Sequence, residues 1–126
     1  MPDKRKDIRP LVPTEKEAVT EAERFQNETL RPILKMQHDL LAAIFRRMMA
    51  KRRIPFDSLP QQKQEQQIDH SLSQDNRLRF LLLGAVIGQF TAEEYEQFLE
   101  MEPEATRRIM SMLAERLKGG FGIRNS

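Results

Sequence analysis

Two histidines each stand beside an aspartate, His38-Asp39 and Asp69-His70, and these pairs come closest to an acid–base or metal-binding constellation. Imidazole titrates near neutral pH, and a neighbouring carboxylate can orient it. Adjacent residues on a helix point about 100° apart, so neither pair is a ready-made dyad. His70 also projects nearly opposite Ile68 and Leu72, which turns it toward solvent. No histidine follows a glutamate by three positions, the pattern of helical di-iron sites. Glutamates at 93, 94, 96 and 100 have the spacing of one wet helix side. The chain has no cysteine, which excludes disulfides, thiolate ligands and a cysteine nucleophile. It has neither a glycine-rich phosphate loop nor a GxSxG turn. No catalytic residue, metal ligand or cofactor is expected.

The remaining polar chemistry is charge. The formal net charge is only +2, but its distribution is uneven. Arg46, Arg47, Lys51, Arg52 and Arg53 cluster within eight positions, whereas six glutamates lie between Glu93 and Glu104. Such asymmetry can orient a partner or a second copy of the chain. A polyanion surface would need the first cluster to join Arg107 and Arg108 near the start of the last helix, where a DNA-reading helix carries its contacts. Aromatic residues are not interleaved with the basic ones, so a single-strand stacking platform is not expected.

Helices must position these groups, since no segment alternates with period two for long enough to form a strand. Three prolines in the first 13 residues predict an irregular arm over 1–13, followed by one helical domain over 14–118. The start, MPDKRKDIRP, has no apolar run after it, so no secretory signal is expected and the cytoplasm is the expected location. Thr14 and Glu17 have the capping-box spacing, predicting a first helix from about 15 to 29, with a break or kink near Pro32. A second helix over about 32–53 buries Ile33, Leu40, Leu41, Ile44, Phe45 and Met48, with Ala42 and Arg46 opposite. Ser58 is expected to cap a largely polar third helix anchored by Ile68 and Leu72.

The run FLLLGAVIGQF, Phe80 to Phe90, is apolar on every side. At about 16 Å it is too short to span a bilayer, which predicts a buried central helix over about 77–90. Gly84 and Gly88 share a face and are expected to form a notch where another helix packs closely; leucine at either should destabilise the fold by overpacking. Thr91 and Glu94 repeat the capping-box spacing and start a short helix burying Tyr95, Phe98 and Leu99. Pro103 opens a last helix with a stripe of Thr106, Ile109, Met110, Leu113 and Leu117; Arg107, Arg108 and Lys118 face water. Gly119-Gly120 is expected to stop it, leaving a tail over 119–126. The fold class is all-α, a compact bundle of five to six helices around one central helix.

FQNETLRPILKMQHDLLAAIF and LGAVIGQFTAEEYEQFLE, with the TRRIMSML run, resemble a family of short bacterial hypothetical proteins, some of which bear the name glyoxalase. The resemblance spans about residues 23–118 and rests on packing and capping residues, so it implies a helical fold and no site residue. The metal-dependent glyoxalases are built on paired βαβββ units or a histidine-rich motif, and this chain has neither.

These features point first to a non-catalytic protein-interaction module, whose partner is either a second copy of the chain, in a homodimer, or another protein. The seven methionines suit adaptable contacts, and Met49, Met101 and Met112 lie off the main apolar stripes. Nucleic-acid binding through residues 46–53 and the last helix is the alternative, and a glyoxalase-type enzyme a third. No membrane partner is expected.

Overall fold

The computed structural model describes residues 19–124, with side chains through Gly119. The expected arm over 1–13 and the Thr14–Glu17 cap lie outside the described residues. Within them every regular element is helical, and the fold is an all-α bundle.

Helix α1 (Glu21–Phe25) starts at a different capping box, Thr20 with Glu23. Each side chain bonds the other's backbone N–H at 3.1 Å, satisfying two donors that a helix start otherwise leaves unpaired. The chain stays helical through Pro32 rather than breaking there. Gln26–Leu30 widens into a π-helical turn, in which the Arg31 N–H reaches back five residues to the Gln26 carbonyl. Pro32 then falls in the first turn of α2 (Arg31–Met36), where a missing N–H costs little. The interruption comes later, at Gln37 (φ −96°, ψ 10°), before α3 (His38–Lys51).

α3 buries a stripe different from the expected one. Ala42 and Met49 are buried with Leu41, Phe45 and Met48, whereas Leu40 is 47% exposed. α3 closes with paired backbone bonds, Arg53 N–H to Ala50 and Ile54 N–H to Met49, the Schellman pattern. The position that favours glycine holds Arg53 at φ 62°. A 3₁₀ turn (Phe56–Ser58) follows, with the Phe56 ring edge-on to Phe45 at 5.1 Å. Ser58 does not cap α4 (Gln61–Gln74); its hydroxyl donates to the Pro55 carbonyl, and Pro60 stands at the helix start without a side-chain cap. Ile68 and Leu72 anchor α4 as expected. Gln64, buried too, donates from Nε2 to the Phe56 carbonyl at 2.9 Å.

Helix α5 (Asn76–Ile87) packs against α3 and α4 and against α7 (Glu102–Arg124). Its buried set is Leu78, Leu82 and Val86, a single stripe at four-residue spacing, and each such burial stabilises by about 1.5–3 kcal/mol. The expectation of a helix buried all round is therefore corrected: its opposite face is open. Helix α6 (Ala92–Glu100) has the expected Thr91–Glu94 capping box but buries only Phe98; Tyr95 and Leu99 are 43% and 46% exposed. α7 buries Ala105, Ile109, Leu113 and Leu117, with Thr106 and Met110 half-buried. It runs through Gly119 and Gly120 to Arg124, so the expected glycine stop is overridden. Neither glycine has positive φ, the conformation that makes glycine a helix stop.

Candidate functional site

The most highly built polar feature is the corner between α4 and α5. Asp75 accepts the Leu78 N–H at 3.1 Å and so caps α5. The same carboxylate takes a two-pronged clamp from Arg52, Nε and Nη2 each at 3.0 Å. The side-chain hydrogen bond from Arg52 holds the Asp75 carboxyl below the usual carboxylate range, against a partial burial that works the other way. Arg79 completes the corner by donating to the Leu72 carbonyl at 2.7 Å, near the end of α4. The end of α3, the end of α4 and the start of α5 are thus tied at one point.

A cleft of about 460 Å³, open to solvent, lies beside this clamp. Met49 and Ile54 from the α3 terminus line it together with Arg52, His70, Asp75 and Arg77. Asp75 is already bound to Arg52, so the cleft offers His70 and Arg77 as its remaining charged or titratable groups. It suits an acidic, partly apolar contact better than proton transfer, which needs a base aimed at a defined atom. His38 lies elsewhere, at the start of α3, half-buried. Among the described residues no cluster of three His, Asp or Glu side chains could hold a metal ion.

Arg77 links the cleft to the open face of α5. Arg77, Leu81, Gly84 and Gly88 follow one another at helical spacing, with Phe80 beside them, opposite the buried stripe. Phe80 is 72% and Leu81 47% exposed. A methyl group built on Gly84 would touch nothing within 4 Å, and one on Gly88 would meet only the carbonyls of Gly84 and Ala85. The expected notch between packed helices is therefore not found within the chain; the two glycines lie on its surface. Past the end of α5, helix α6 exposes Glu93, Glu96 and Glu100 around Tyr95 and Leu99. Basic cleft, apolar helix face and acidic helix follow in order along one segment, 75–100.

The basic residues singled out in the sequence divide between ion-paired and exposed side chains. Arg46 binds Asp57 at 3.0 Å, and Arg52 is clamped to Asp75. Arg108 is half-buried rather than facing water, bonded to Glu104 and, at 2.6 Å, to Gln26. Lys118 likewise pairs with Asp69. Gln26 adjoins Phe25, whose ring meets Phe90 just beyond the C-terminal end of α5. Arg47, Lys51, Arg53 and Arg107 are exposed.

No family model, curated protein or solved structure matches this chain. No helix among the described residues is long and apolar enough to cross a membrane. The geometry alone therefore carries the functional reading. Sequence reasoning passed over Arg77, Phe80 and Leu81 as surface residues. The signal available for them was the four-residue spacing of Leu78, Leu82 and Val86, masked by apolar residues on the other side.

Proposed function

We propose that this chain is a non-catalytic protein-interaction module that self-associates through the outer face of α5. The observation that carries the reading is Phe80, 72% exposed beside Leu81 on a face where Gly84 leaves open space. A phenylalanine ring left in water forgoes a large favourable transfer that a second surface can supply. Glycine at the centre of such a face lets a second helix approach closely. The two-pronged ion pair of Arg52 with Asp75 ties the corner from which α5 starts. The Gly84→Leu variant tests this. It should fold as the wild type does, since Gly84 is exposed and nothing lies within 4 Å of a Cβ added there, and should lose self-association in sedimentation. A Gly84→Leu protein that unfolds, or that associates as before, contradicts the assignment.

A further inference from the structure

The outer face of α5, about 18 Å long and about 10 Å wide, presents about 180 Å², well short of the roughly 800 Å² per partner of a stable interface. Self-association through α5 therefore needs a second contact. We propose that the pairing is antiparallel about a two-fold axis near Gly84, with helix α6 of each copy seated against the basic cleft of the other. This rests on the self-association reading above and adds its register and its second surface.

The register follows from lengths. Arg77 lies seven residues before Gly84, about 10 Å along the axis, and α5 ends three residues after it, at Ile87. In an antiparallel pair the C-terminal end of the second copy's α5, from which the chain passes to α6 at Ala92, then lies at the Arg77 end of the first. The two surfaces are complementary. The cleft has Met49 and Ile54 on its walls; Arg52 there is matched by Asp75, which leaves Arg77 as its unmatched cation, beside His70. α6 exposes Tyr95 and Leu99, four residues apart on one side, flanked by Glu93, Glu96 and Glu100. α6 is also lightly held in its own copy, with Phe98 its one buried residue. A parallel pairing would instead set cleft beside cleft and acidic helix beside acidic helix, placing like charges together. Two-fold symmetry makes the contact twice, because the same patch serves on both sides. Arg77 faces the partner's Glu93, the first exposed carboxylate beyond α5.

The test uses the full chain by sedimentation equilibrium at low salt, with far-UV circular dichroism as the folding control. Arg77→Glu and Glu93→Arg should each raise the dimer dissociation constant on the order of ten-fold or more, and the double reversal within one chain should restore it. Because the chain has no cysteine, an Arg77→Cys, Glu93→Cys variant treated with a short bis-maleimide should give covalent dimer between copies. Dimers indifferent to both reversals and not cross-linked would overturn the register while leaving self-association standing. A monomer at every concentration overturns both.

Discussion

Asp75 gives the sharpest test of how the fold holds its corner, because one carboxylate performs two tasks that different substitutions separate. It caps α5 through the Leu78 N–H and it receives both prongs of the Arg52 guanidinium. Alanine removes both. Loss of the cap alone costs about 0.5–2 kcal/mol. The side chain is only 14% exposed, so little water can replace it at the Leu78 N–H, and the upper half of that range applies. Asparagine caps as well as aspartate but carries no charge, so Asp75→Asn should cost clearly less than Asp75→Ala. Urea unfolding at pH 7 would show Asp75→Ala lowering the midpoint with an unchanged slope, and Asp75→Asn between it and the wild type. The pH dependence has a definite sign. Arg52 depresses the folded carboxyl below its unfolded value, so its stabilisation is fully present above the unfolded pKa of about 3.9 and is lost as pH falls through the folded value. The wild type should therefore lose more stability below about pH 4 than Asp75→Asn does. Equal costs for the two variants, or identical acid profiles, would refute the division between cap and charge.

Two further predictions concern backbone conformation. Gly84→Ala, measured by thermal melts in a Phe80→Ser background so that association does not enter, should stabilise the fold by about 0.5–1 kcal/mol, since the added methyl meets nothing and glycine is a poor interior helix residue. Destabilisation would mean that a neighbour lies closer than described. Arg53 occupies the left-handed position closing α3, which costs a side-chain-bearing residue roughly 1–2 kcal/mol. Part of that is offset by glycine's freedom in the unfolded chain, so Arg53→Gly should stabilise by about 0.5–1 kcal/mol in the same assay. A loss of stability would show that the arginine side chain makes a compensating contact.

The sequence was most legible where one local rule had no competitor. The Thr91–Glu94 box and the Ile68–Leu72 anchor need only neighbouring residues, and each stands where expected. Legibility failed where two local solutions competed for the same backbone groups. Pro32 could end a helix or be absorbed, and the π turn over Gln26–Leu30 absorbs it. Gln37 carries no breaker signal, yet the regular helix is interrupted there, and in the following helix Leu40 is exposed and Met49 buried. Gly119-Gly120 reads locally as a stop, but the helix continues through both. The candidate surface was obscured for a different reason. FLLLGAVIGQF is apolar on both faces, so hydrophobic periodicity does not say which side meets the core, and only the packing of α3, α4 and α7 decides it. The Arg52–Asp75 clamp joins residues 23 apart in sequence, beyond the reach of any helical spacing rule.

The central claim, that the open face of α5 is where this protein meets its partner, is tested most directly by solution mass over a range of concentrations for the wild type and Phe80→Ser. The wild type should approach twice the 14.8 kDa of the chain as concentration rises. Phe80→Ser, altered at a side chain 72% exposed, should stay at the single-chain mass with an unchanged helical spectrum. A wild type that remains monomeric throughout, or a Phe80→Ser protein that pairs as tightly, would contradict it.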